Sequence, residues 1–354
     1  MLKTAASTLV ATTIAAAALF FAAAAPLAAQ NITAPDAAVP EGITVDAPMV
    51  HGRTLVGNLE GNSAEREVMV VLPPSYASSP DRHYPVVYYL HGFAISGRDF
   101  YDYMQVPTAV SENAAEGREF IVVVPDTLTE MGGSMYSNSV TTGNFRDFIA
   151  GDLVDYIDAN YRTINRPEGR GLVGHSMGGY GTLVVAMTHP GVFDSFWAQS
   201  ACCVSARRET VESATAMASV PRDGVDESGF GMRAGLASAV AWAPNPEKPP
   251  FYVDWAVTAE GELDEAVLAR WANNSPLAMV SSNISALQSY DGVALDVGDA
   301  DGLVVDDTRI HEEFEKFGIE HFWEVYEGTH TDKIGPRFNA IVLPWMAEHL
   351  DMGE

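Results

Sequence analysis

The run Gly171-Leu172-Val173-Gly174-His175-Ser176-Met177-Gly178-Gly179 holds G-x-S-x-G between a short apolar strand and a helix-length segment. That context suits a nucleophilic serine on a tight strand-to-helix turn, because only glycine leaves room for crossing backbone at Gly174 and Gly178. The turn would place the Ser176 hydroxyl at a helix N-terminus, where developing negative charge is favoured. A serine of ordinary acidity needs a base, and the base needs an acid to orient it. Downstream, Gly298-Asp299-Ala300-Asp301 and Glu327-Gly328-Thr329-His330 each follow an apolar run. The chain order serine, acid, histidine makes Asp301 the expected acid and His330 the expected base, with Asp299 a competitor in the same loop.

An acyl-transfer intermediate also needs preorganised donors for its oxyanion. The N–H of Met177, next to the nucleophile, is one candidate. The other is the N–H of Phe93, in the His91-Gly92-Phe93 turn that follows Val86–Leu90. Of the remaining histidines, His175 should point away from the hydroxyl beside it, and the others fall at strand ends, in loops or inside elements. Asp306 and Asp307 suit the first turn of a helix, where acids are favoured.

These groups must be carried by a sheet. Glu67–Leu72, Val86–Leu90 and Phe120–Val124 are continuous apolar runs, the pattern of parallel strands buried on both faces. Phe145–Tyr161 predicts an amphipathic helix and Arg170–Val173 a strand. Met177–Thr188 follows as a helix and Val192–Gln199 as a strand. After Cys203 the pattern breaks, and Val204 to about Tyr290 reads as an insertion over the sheet top. It resumes with a strand at Val293–Val297, a helix at Asp306–Phe317, a strand at His321–Tyr326 and a closing helix at Pro336–Leu350. The fold class is therefore α/β, a mostly parallel central sheet flanked by helices, with an insertion over the active-site end.

Length and composition agree with one large domain. The 354 residues are 47% hydrophobic, enough for a full core. A formal net charge of -27 disfavours nucleic acid and anionic lipid surfaces as partners. The first 29 residues carry Lys3, an Ala-rich apolar run from Leu9 to Leu27 and small residues before Gln30. This is the pattern of a cleaved signal peptide, so the mature protein is expected to be secreted or periplasmic, without stable membrane insertion. Residues 30–62 read as an N-terminal extension with an edge strand near Arg53–Leu59, and residues 63–354 as the catalytic domain. The two cysteines, Cys202 and Cys203, are adjacent. Their Cα atoms lie about 3.8 Å apart, below the usual disulfide range of ~4.4 to 6.8 Å, so a reduced buried pair is the simpler reading and a vicinal disulfide the other.

The segments YPVVYYLHGF (Tyr84–Phe93), DANYRT (Asp158–Thr163) and RGLVGHSMGGYGTL with HPGVFDSFWAQS carry a resemblance. They look like the esterase D-type branch of the α/β-hydrolases, from about Glu67 to Leu350 outside the insertion. That branch includes feruloyl and acetylxylan esterases, S-formylglutathione hydrolases, enterochelin esterases and mycolyltransferases. The resemblance implies an α/β-hydrolase fold and a serine ester hydrolase using Ser176, Asp301 and His330, with Phe93 and Met177 as oxyanion donors and no metal or organic cofactor. It also places Gly133–Ser139 near the site, making Tyr136 and Asn138 candidates for substrate contact or for loop packing. The export leader points away from S-formylglutathione, a cytosolic thioester, and towards acyl esters of carbohydrates or aromatic acids. Acyl transfer to a sugar is the alternative activity, and a non-catalytic binding protein on the same scaffold is the third reading.

Overall fold

The computed structural model describes residues 36–353. The expected signal peptide and its cleavage point lie outside them. Eleven strands are present among the described residues, in chain order β1 (Thr44–Asp46), β2 (Met49–His51), β3 (Glu65–Leu72), β4 (Val86–Leu90), β5 (Ile121–Pro125), β6 (Asn138–Ser139), β7 (Gly143–Asn144), β8 (Arg170–His175), β9 (Ser195–Gln199), β10 (Gly292–Gly298) and β11 (Phe322–Tyr326). Nine form one sheet in the order β1-β3-β5-β4-β8-β9-β10-β11, with β2 also on β3, while β6 and β7 make a small ribbon. The six strands from β5 to β11 are mutually parallel.

Both faces of this sheet are covered, which is why its strands read as unbroken apolar runs. Along β4, Val86, Tyr88 and Leu90 enter one cluster with Leu183 and Val184 of the helix Met177–Thr188. Val87 and Tyr89 enter the opposite cluster with Phe100, Phe338 and Met346. Each such side chain, fully removed from water, contributes roughly 1.5 to 3 kcal/mol before the entropy of ordering it is subtracted.

Strand order turns at β4. The chain passes from β4 to β5 on one side and returns to β8 on the other, so the ends of β4 and β8 diverge and leave a crevice at their carboxyl ends. The two turns expected to carry chemistry, after β4 and after β8, open into that crevice.

Two expectations need correction. The run Glu67–Leu72 belongs to β3, which pairs antiparallel with β5, because an apolar run reports burial on two faces and not direction. The edge strand expected near Arg53–Leu59 is absent. The edge is built instead from β1 and β2, both antiparallel to β3 and separated at Ala47-Pro48, where a missing N–H is tolerated. Arg53–Leu55 is a single 3₁₀ turn that buries Leu55, while Arg53 and Thr54 both bond the Asp152 carboxylate.

Between β9 and β10 the chain is helical. It forms Val211–Ala218, Phe230–Trp242, Glu265–Ala272, Pro276–Met279 and Ile284–Leu287, the last two packed against the helix Met177–Thr188. Trp242 is nearly buried and donates through its indole N–H to Ser137 Oγ at 3.0 Å, tying the longest of these helices to the loop before β6.

Candidate active site

Ser176 stands between β8 and the helix Met177–Thr188 with φ 58° and ψ -115°, a conformation that side-chain-bearing residues rarely adopt. The two flanking glycines explain how the chain tolerates it. A Cβ on Gly174 would lie 2.1 Å from the carbonyl oxygen of Gly178, and one on Gly178 would lie 2.0 Å from the carbonyl oxygen of Leu90. Neither position can accept a methyl group without separating β4, β8 and the helix.

The His330 ring bridges two partners. Its Nε2 is 2.9 Å from Ser176 Oγ, and its Nδ1 is 2.7 Å from Asp301 Oδ2. An ionised carboxylate only accepts, so the ring proton sits on Nδ1 and leaves Nε2 to receive the serine hydroxyl. Asp301 Oδ1 in turn accepts the Leu303 N–H at 2.9 Å. Burial alone would raise the Asp301 carboxyl, but the hydrogen bond and charge of His330 bring it below the usual range. The Asp301 side chain is 0% exposed and that of His330 is 18% exposed, so the imidazole reaches solvent while the carboxylate bonded to it does not.

The loops that carry the two groups are joined by backbone. Asp299 N–H donates to the Tyr326 carbonyl at 2.7 Å and Ala300 N–H to the Gly328 carbonyl at 2.9 Å. Asp299, the competing acid, is exposed, and its carboxylate receives the Gly328 N–H at 3.1 Å.

The turn after β4 passes beside Ser176. A Cβ on Gly92 would lie 3.5 Å from that of Ser176. His91 is fully buried beneath this turn. Its Nε2 accepts the Thr127 N–H at 2.8 Å, which leaves Nδ1 to donate to the Gly92 carbonyl, also at 2.8 Å. Phe93 and Met177, the expected oxyanion donors, both lie here, and their side chains both pack against Gly133.

Tyr136 and Asn138 do not face the crevice. Tyr136 is 0% exposed, and its hydroxyl donates to the His91 carbonyl at 3.0 Å. Its ring fills the space beside Gly181. Its hydroxyl is spent supporting the turn after β4. Asn138 is exposed in the small ribbon and donates to Asp147 Oδ1 at 2.6 Å.

Three residues make contacts that the sequence did not foretell. His175, one residue before Ser176, does point away from its hydroxyl, and its Nε2 lies 2.7 Å from the His330 carbonyl, so it holds the loop that carries His330. Burial and the neighbouring His330 push its pKa down to about 3, which keeps it a neutral donor. Asp307 lies in the first helical turn as expected, yet it is fully buried and reaches back to accept the Ala201 N–H at 3.0 Å. Burial pushes its carboxyl well up. Ser200 takes a left-handed φ of 44° and donates its N–H to the Asp296 carbonyl at 2.7 Å. Adjacency to the serine was the only available signal for His175. Nothing in spacing marks the other two, whose partners lie about a hundred residues away.

The family model described as putative esterase matches residues 62–340. The chain belongs to the putative esterase family. An esterase of Mycobacterium tuberculosis is 35% identical over 136 residues, which cover 36% of this chain and 27% of that protein. The mouse (Mus musculus) S-formylglutathione hydrolase is 27% identical over 153 residues, 38% of this chain and 51% of that one. The chain thus spans from about a quarter to a half of the length of these curated relatives. A solved ferulic acid esterase shares the fold with a TM-score of 0.60 and 19% identity, covering 87% of this chain and 99% of its own. The putative esterase fold is accordingly that of the α/β-hydrolases, as the sequence resemblance implied. No helix among the described residues is long and apolar enough to cross a membrane.

Proposed function

We propose that this protein is a serine carboxylic-ester hydrolase that works through an acyl-enzyme. The observation that carries the reading is the continuous path Ser176 Oγ to His330 to Asp301, with contacts of 2.9 and 2.7 Å. His330 Nε2 takes the hydroxyl proton as Ser176 Oγ attacks the ester carbonyl. The imidazolium that forms is stabilised by the Asp301 carboxylate, and the N–H groups of Phe93 and Met177 receive the charge on the carbonyl oxygen. Collapse of the tetrahedral adduct returns the proton from His330 to the departing alcohol. A water deprotonated by the same Nε2 then releases the acid and restores Ser176. No step calls for a metal or an organic cofactor.

The enzyme is exported, a reading supported by the apolar Ala-rich leader ending before Gln30. Its substrates are acyl esters of carbohydrates or aromatic acids, a class suited to an exported hydrolase and represented among the similar folds by a ferulic acid esterase.

The test is turnover of p-nitrophenyl esters from acetate to dodecanoate, with a ferulate ester, by the mature protein and its Ser176→Ala variant. Loss of about 10⁴-fold or more in kcat is expected for the variant. Equal turnover by the two proteins would sink the serine mechanism. Activity that emerges only with an added sugar acceptor would make the protein an acyltransferase.

A further inference from the structure

The adjacent cysteines noted in the sequence lie against the nucleophile. Cys202 and Cys203 end the loop after β9, half-buried and both free, with their sulfurs 2.8 Å apart. This loop grips Ser176 by both of its backbone groups. The Gln199 carbonyl accepts the Ser176 N–H at 3.0 Å, and the Cys202 N–H donates to the Ser176 carbonyl at 3.1 Å. A shift of the Cys202 backbone therefore reaches the strained serine through one hydrogen bond. Ser200 at φ 44° and Cys203 at φ 59° already hold the loop in left-handed backbone.

Cys203 also opens on a cavity of about 310 Å³ that it shares with Arg207, Arg208, Arg309, Trp242 and one carboxylate, Asp306. Arg207 pairs with Glu209, and Arg309 with Asp306. Arg208 is exposed and has no acidic partner among the described residues. With 20 cationic side chains against 47 acidic ones in the whole chain, a mouth with three arginines is a local exception that favours an anionic visitor. The Cys202 thiol is pushed up by its hydrogen bond to Cys203 and by burial, and Cys203, which lines the cavity, is the sulfur a visitor meets first.

We infer that Cys202 and Cys203 form a reversible dithiol site, oxidised to a vicinal disulfide by exchange with a small anionic disulfide, and that closing this ring throttles Ser176. In the first step the Cys203 sulfur, losing its proton, attacks one sulfur of the incoming disulfide and expels one thiol. In the second the Cys202 sulfur attacks Cys203 Sγ in the mixed disulfide, forms the intramolecular bond and expels the second thiol. The pair loses two electrons and two protons, and the small disulfide becomes two thiols. Because neighbouring Cα atoms are about 3.8 Å apart, under the ~4.4 Å lower end of the usual disulfide range, the ring closes only by twisting the intervening peptide and shifting the Cys202 backbone, which loosens the bond from the Cys202 N–H to the Ser176 carbonyl. Bonds closed under such constraint are the readily reduced ones, which makes the site reversible.

The effect on turnover rests on Ser176 being the nucleophile, so the test reads chemistry and activity separately. The protein is equilibrated with glutathione disulfide or with dithiothreitol. Intact mass, p-nitrophenyl acetate turnover and hydrogen exchange in peptides spanning Gly174–Gly181 are then followed. Oxidation should lower the mass by about 2 Da and raise exchange around Ser176. Turnover should fall roughly ten- to a hundredfold and return with dithiothreitol. The Cys203→Ser variant should keep its turnover in both buffers. A stable adduct of about 305 Da in place of the ring would overturn the proposal. So would a ring that changes neither turnover nor exchange. If the reduced protein and Ser176→Ala are equally inactive, the reading of the active site fails, and mass with hydrogen exchange still decides whether the dithiol closes and moves the turn.

Discussion

Which of two carboxylates serves His330 is decided by a separation of two residues. Asp301 is buried and bonded to the ring, while Asp299 is exposed and bonded to the Gly328 N–H. Asp301→Asn should therefore lower kcat by about 10³- to 10⁴-fold, because the amide favours the wrong ring tautomer. Asp299→Asn should leave kcat within about threefold, since an exposed hydrogen bond to one N–H is worth roughly 1 kcal/mol or less. Steady-state kinetics of the pair checks this, and the reverse pattern would reassign the acid. His175 supplies a pH prediction. Its folded pKa of about 3 lies below the ordinary 6.5, so the unfolded chain binds the extra proton between those values and stability is lost as pH falls through that window. His175→Gln keeps a donor for the His330 carbonyl without titrating. The wild-type advantage in Tm should shrink from pH 7 to pH 4, and a constant gap would show that this imidazole is not the acid-labile group.

At the level of elements, the turn that carries Ser176 depends on how closely β4, β8 and one helix approach. Gly178 sits where a Cβ would come 2.0 Å from the Leu90 carbonyl oxygen, a backbone atom that cannot swing aside. Gly178→Ala should cost about 3 kcal/mol or more, seen as a lower denaturation midpoint or as insoluble protein, along with lost turnover. An alanine variant of full stability would mean that strand and helix part more easily than their shared core suggests. The strand runs were legible in the sequence because burial on both faces leaves an unbroken apolar signature, as in VVYYL for β4. Direction was not, and β3 proved antiparallel. Arg53–Leu59 misled for a related reason. Leu55 is buried there by one turn of 3₁₀ helix whose polar neighbours find Asp152, and periodicity cannot distinguish that from a short edge strand.

Across the whole molecule, the helices between β9 and β10 bring their own residues to the crevice. The Phe230 ring meets Phe93 edge to face with centroids 5.4 Å apart, and Arg233 lies over Gly132. An aromatic pair of this kind contributes about 0.5 to 1.5 kcal/mol beyond its buried area. Phe230→Ala should therefore raise KM for long-chain and aromatic esters by roughly three- to tenfold and leave acetate turnover nearly unchanged. A chain-length profile identical to wild type would remove these helices from substrate choice.

Taken alone, the sequence determined the order of the parts. G-x-S-x-G after a strand, an acid after a late strand and a histidine after the last one are constraints on neighbouring backbone and on chain order, and both are written in sequence. The tertiary structure alone decided which atoms meet. Asp301 and His330 are joined because the loops after β10 and β11 are laced by backbone hydrogen bonds. Tyr136 turned out to support the turn after β4, and Cys202 to hold the Ser176 carbonyl, because contacts between distant segments follow from packing, which local residue patterns do not record.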